Sequence, residues 1–171
     1  KGAFFPLGRT MSAVRLAVGN VDEDSALEII STLASDGDGT VFVHDGNGRY
    51  EDSFMAFGGD VFGLVPATSD IDGDGQDEII VAPGSGYIPY IGVYNQSGSL
   101  LKGFFAFSSQ YRGGVEITEG DIDTNGRKEI YVTPSIGGGP QVRIFNSETE
   151  LIGGFFVFDM TNRFGASLAI Y

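Results

Sequence analysis

Residues 70–83, DIDGDGQDEIIVAP, set five acidic side chains and two glycines directly before an apolar run. Carboxylates crowded this closely repel one another. Either the stretch is a solvated turn, in which Asp and Asn side chains bond their own backbone, or a cation sits among the oxygens. Calcium takes about 6–8 oxygen ligands, and a short loop supplies them from alternate positions plus one backbone carbonyl. On that pattern Asp70, Asp72, Asp74 and Glu78 are positions 1, 3, 5 and 9, and the carbonyl of Gln76 is position 7. Gly75, at position 6, permits the positive φ that bends a loop around an ion.

The arrangement occurs twice more. Residues 20–32, NVDEDSALEIIST, offer Asn20, Asp22, Asp24, the carbonyl of Ala26, and Glu28. Residues 121–134, DIDTNGRKEIYVTP, offer Asp121, Asp123, Asn125, the carbonyl of Arg127, and Glu129. One such loop reads equally well as a turn; three in register, with oxygens at alternate positions, read as up to three calcium sites. The second holds four carboxylates, while the other two hold three and an asparagine. The first also has Ser25 where the others have glycine, so the expected order of affinity is second, third, first. Their expected role is structural, pinning the turn between two strands; a ligand-bridging or catalytic ion is the lesser reading.

The elements that hold these loops repeat with them. Asn20, Asp70 and Asp121 lie 50 and 51 residues apart, and a second landmark keeps the same step: FFPL at 4–7, FMAF at 54–57, FFAF at 104–107 and FFVF at 155–158. Within a repeat, short apolar runs alternate with Gly- and Pro-rich punctuation, which reads as strands and turns. In the third copy these are 113–120, 129–134, 141–146 and 151–158. No stretch keeps a helical period. Four strands in about 50 residues is the dimension of a β-propeller blade. The fold expected is therefore all-β, with antiparallel four-stranded blades: repeat units 4–57, 58–107 and 108–158, and the start of another at 159–171. A fourth strand at 1–8 and a first strand at 164–171 flank the whole blades. Three blades and a fraction do not close a ring of typically 4–8, so the expected partners include the remaining blades of a longer propeller, or other chains. Lys1 at the start reads as a mature or trimmed piece.

The pattern D-x-D-x-D-G-x-x-E followed by an apolar strand and a Pro- or Gly-rich turn resembles the FG-GAP (VCBS-type) repeat, with FGG at 57–59 and APG at 82–84 loosely echoing the motif. Such repeats build the calcium-binding propeller of integrin α subunits and of many bacterial surface and secreted proteins. The resemblance runs in register over nearly the whole chain. It implies a propeller, bound Ca2+ and an extracellular or cell-surface setting, and it leaves the ligand open. The loops also resemble the start of an EF-hand, but a strand follows them, and Val81 and Val132 stand where a bidentate glutamate would.

Other chemistry is sparse. His44 is the lone histidine and shares its place with Tyr94 and Phe145, a packing slot; without cysteine, a nucleophilic triad would have to use it. Ten basic against twenty-three acidic residues, net charge −13, argue against nucleic acid and anionic membrane surfaces as partners. No apolar run approaches the roughly 20 residues of a membrane span. The aromatic FFxF stretches are expected to pack between neighbouring blades. Positions that differ between copies are the candidates for ligand contact: Tyr87, Tyr90, Tyr111, Arg112, Asn162 and Arg163, although loops also vary without function. Asn95-Gln96-Ser97 is a glycosylation sequon, relevant only in a eukaryotic secretory route. The function expected is non-enzymatic: an adhesion module recognising protein or glycan through its loops. The alternatives are a scaffold in a surface assembly, or a non-catalytic portion of a secreted carbohydrate-active enzyme.

Overall fold

The structure is a computed structural model that describes residues 6–7, 11–59 and 61–169. It is all-β, with three antiparallel sheets of four strands each. The first sheet is β1 (Val14–Gly19), β2 (Glu28–Leu33), β3 (Thr40–His44) and β4 (Tyr50–Met55), in that order. The second is β5 (Leu64–Ser69), β6 (Glu78–Pro83), β7 (Tyr90–Tyr94) and β8 (Leu100–Phe105). The third is β9 (Val115–Gly120), β10 (Glu129–Pro134), β11 (Gln141–Phe145) and β12 (Leu151–Phe156). Each sheet is a plain meander, as expected of short strands separated by tight turns. In every sheet a bulge interrupts the third–fourth strand pairing, between Val43 and His44, Val93 and Tyr94, and Ile144 and Phe145. The one helical piece among the described residues is a 3-10 turn, Ala56–Gly58. No helix among them is long and apolar enough to cross a membrane.

The sheets pack face to face. β6 explains why an apolar run without alternation is still a strand. Ile79 and Val81 pack with Ile30, Val41 and Val43 of the first sheet, while Ile80 and Ala82 pack with Ile117, Ile130 and Phe145 of the third. Both faces are covered, so both must be apolar. The outer strands are different: every residue of β12 is exposed.

The first strands of the three sheets lie together. β1 packs beside β5, and β5 beside β9. Arg15 on β1 reaches Glu116 on β9 with a two-pronged pair, Nη1 to Oε2 at 2.6 Å and Nη2 to Oε1 at 2.8 Å. Gly63, Gly114 and Gly165, spaced 51 residues apart, mark where the segment before a first strand approaches the preceding sheet's Ala34, Ser85 and Ser135. Gly84 N–H donates to the Gly63 carbonyl at 2.7 Å, and Ser135 N–H to the Gly114 carbonyl at 2.9 Å.

The aromatic stretches FMAF at 54–57 and FFAF at 104–107 pack onto the next sheet. Phe54 meets Tyr94 with ring centroids 5.1 Å apart, and Phe104 meets Phe145 at 4.6 Å. The copy at 155–158 is exposed throughout. The strand expected at 164–171 does not form over 164–169, where no neighbouring strand among the described residues pairs with it. Residues 170–171 lie outside the described residues. So does most of the strand expected at 1–8, of which Pro6 and Leu7 are described, in a turn.

Candidate metal centres

Each acidic loop joins the first two strands of its sheet, and the pairings Gly19–Glu28, Ser69–Glu78 and Gly120–Glu129 close it at the base. A strand pairing to its last residue leaves no freedom at position 9, so each glutamate is held under its loop. Glu28, Glu78 and Glu129 are all buried. Carboxylate oxygens converge within 4.8 Å of one another in three groups: Asp22, Asp24 and Glu28; Asp70, Asp72 and Glu78; Asp121, Asp123 and Glu129. Three oxygens from one short loop, one of them buried, can hold a metal ion.

The loops share a hydrogen-bond scheme that aims the oxygens inward. The oxygen at position 5 accepts the N–H of position 7 in all three: Ala26 N–H to Asp24 Oδ1 at 2.6 Å, Gln76 N–H to Asp74 Oδ1 at 2.8 Å, and Arg127 N–H to Asn125 Oδ1 at 2.8 Å. In the second loop Asp70 accepts from Gly73 and Gly75, and in the third Asp121 accepts from Asn125 and Gly126. Left-handed residues make these bends: Gly73 and Gly75 in the second loop, Thr124 and Gly126 in the third.

The first loop is built differently. Ser25 is not left-handed, and the buried Asn20 Oδ1 has no hydrogen-bond partner. Asn20 is instead fixed through its backbone to the second loop. Its N–H donates to Asp77 Oδ2 at 3.0 Å, and its carbonyl accepts the Asp77 N–H at 2.6 Å. Asp77, at position 8 of its loop, falls outside the alternate-position ligand pattern. The available signal was that its equivalents, Leu27 and Lys128, are not acidic.

The buried glutamates differ in what they touch. Glu28 Oε2 accepts the Val21 N–H at 2.9 Å, and Glu78 Oε2 accepts the Ile71 N–H at 2.8 Å. Glu129 Oε2 accepts the Tyr131 hydroxyl at 3.4 Å, and burial followed by Glu129 pushes that phenol up to about 12. Burial, and after it the neighbouring aspartates, hold Glu28 and Glu78 above the ordinary glutamate value of 4.5, against the backbone N–H each accepts. A raised folded-state value means that protonating these groups favours the metal-free fold. That contribution is full below 4.5 and is lost as pH rises through the raised values. A cation needs the ionised form, so protons compete with it. The gap in midpoint between calcium-loaded and chelated protein is therefore expected to shrink from about pH 7.5 to about pH 5, as thermal scans at both values would read.

The loop residues expected to contact a ligand are engaged within the protein. Tyr87 and Tyr90 pack against Phe57, at centroid distances of 5.9 and 6.3 Å. Tyr111 packs on Phe107 and donates its hydroxyl to the Ile136 carbonyl at 3.2 Å. Arg112 donates to the carbonyls of Ser109 and Tyr111, and Arg163 in the same way to those of Met160 and Asn162. Asn162 Oδ1 accepts the Phe164 N–H. His44, 3% exposed, lies between the rings of Phe42 and Tyr50. The chain matches no protein-family model and no curated protein.

Proposed function

We propose that the chain is part of a calcium-stabilised β-propeller of FG-GAP-like repeats, working outside the cell as a non-enzymatic binding or adhesion module for protein or glycan ligands. The observation that carries this reading is the threefold recurrence of one arrangement. At the same hairpin of each sheet, three carboxylates converge, and the glutamate at position 9 is buried. A solvated turn has no use for a buried glutamate among aspartates; a hard divalent cation does. Face-to-face sheets with their first strands gathered together support the propeller arrangement. The ions would be structural, holding the first hairpin of each sheet closed, with the second site tightest, then the third, then the first.

A specific observation also favours the scaffold reading. The aromatic and arginine groups on the variable loops are occupied by partners of their own, so they offer little free surface to a ligand. A glycan and protein array probed with calcium present separates the two readings: a retained partner supports the binding module, and none supports the scaffold.

The calcium assignment is tested by titration. Calorimetry is expected to give up to three calcium ions per chain. Asp72→Asn should weaken the tightest site by roughly tenfold or more, since it removes a charge from a ligand set whose affinity follows charge count. Heat that fits no binding, or an affinity for magnesium equal to that for calcium, would remove the assignment.

A further inference from the structure

The first two acidic loops touch each other, and the contact falls on residues that a metal site needs. Asp70 and Asp121, at position 1 of the second and third loops, each accept two N–H groups from their own loop. Asn20, at position 1 of the first, is placed differently: its buried Oδ1 accepts no hydrogen bond. A buried oxygen without a partner is costly, and at a ligand position a cation would satisfy it. Both polar groups of the Asn20 backbone go to one residue of the second loop. The N–H donates to Asp77 Oδ2 at 3.0 Å, and the carbonyl accepts the Asp77 N–H at 2.6 Å. Gly19 leaves room for this approach, since an added Cβ would lie 2.6 Å from Asp77 Oδ2. Asp22 and Asp24 also share a cleft with Gln76, the neighbour of Asp77. The third loop is built otherwise: Lys128 stands in the place of Asp77 and pairs with Glu119 of its own sheet at 3.2 Å.

We propose that Asp77 is a positioning residue of the first metal site and couples that site to the second. The first loop then binds calcium tightly only once the second is filled, while the third fills independently. This deepens the calcium reading above and rests on it. Asp77 lies between the Gln76 carbonyl and the Glu78 carboxylate, two of the second site's expected ligands. With both drawn to an ion, the chain is fixed on either side of Asp77, and through its two bonds so is the Asn20 backbone. Ordering the second loop thereby removes part of the entropy that the first loop loses on binding. Such coupling is reciprocal, so an ion in the first site tightens the second by the same factor. Asp77 itself needs no contact with either ion.

The test is a calcium titration of the 171-residue protein, in which the amide NMR signals of Ala26, Gly75 and Gly126 report the three loops separately. Asp72→Asn combined with Asp74→Asn removes two of the second loop's four carboxylates and empties it. The first loop should then need at least roughly fivefold more calcium, and the third should be unmoved. Asp77→Ala should weaken the first loop by a similar factor and leave nothing further for the second-loop change to remove. It should also speed amide hydrogen exchange at Asn20 in chelated protein, a readout that needs no metal. Asp77→Asn loses the same charge but keeps an acceptor, so it should restore most of the affinity and the protection. A first loop indifferent to the second-loop variant overturns the proposal. So does Asp77→Asn as damaging as Asp77→Ala, because the effect is then one of charge. A third loop weakened as much as the first also overturns it, since the change is then global. Calcium shifts at all three loops with independent midpoints keep the calcium reading and remove the coupling. No shift at any loop removes both.

Discussion

Chelating calcium is expected to lower the thermal midpoint by about 4–20 °C relative to protein in about 2 mM calcium. A cation that binds only the folded chain stabilises it by RT ln(1 + [Ca]/Kd). For dissociation constants of ~10⁻⁴–10⁻³ M this gives about 0.6–1.8 kcal/mol per site. Three sites then sum to about 2–5 kcal/mol, and a chain of this length shifts by about 2–4 °C per kcal/mol. The effect is large because the metal-free loops are under opposing demands. The β-pairing at Gly19–Glu28, Ser69–Glu78 and Gly120–Glu129 fixes a buried glutamate under aspartates that it repels. Magnesium should not reproduce the shift, since its smaller, octahedral shell fits a carboxylate-rich loop poorly. An unchanged midpoint in chelator would mean that the carboxylates are turn formers only.

Gly114→Ala is the second large effect, at about 3 kcal/mol of lost stability, or about 6–12 °C in midpoint. The residue has φ of 81°, and an added Cβ would lie 2.8 Å from Ser85 N and 3.0 Å from Gly84 C, both backbone atoms of the turn that follows β6 in the neighbouring sheet. Backbone cannot swing aside as a side chain can, so relief requires the two sheets to separate. Gly63→Ala should behave alike, with its Cβ 2.2 Å from the Ala34 carbonyl oxygen, even without a positive φ. Gly58→Ala is the control. Its φ of 74° carries the conformational strain, but nothing lies within 4 Å of the new atom. It should cost about 1 kcal/mol, and equal losses at positions 58 and 114 in chemical denaturation would refute the close-approach account.

Periodicity carried most of what could be read from the chain. The strands, their meander and the three acidic loops all follow from a 50- or 51-residue spacing and from residue types that act locally: carboxylates at alternate positions, turn glycines, apolar runs. What escaped depends on contacts between repeats. Gly63, Gly114 and Gly165 look like ordinary turn punctuation, although their 51-residue spacing matches the sheet junctions. Asp77 looks like one more loop acid until its bonds to the Asn20 backbone place it between two loops. Tyr87, Tyr90 and Tyr111 stand out in the sequence because they vary between copies. Variation at a junction also marks where each ring finds a different neighbour, and here each has one inside the protein.

The pair between Arg15 and Glu116 spans 101 residues and joins the first strand of the first sheet to the first strand of the third. Stacked repeats ordinarily behave as a one-dimensional chain, in which an end unit frays while the middle stays intact. Here each end unit holds the other. Opening either one breaks a contact belonging to both, so partial unfolding from one end gains no freedom without loosening the opposite end. Fraying of either outer sheet therefore costs this two-pronged pair in addition to that sheet's own contacts, so the two ends are coupled through their first strands.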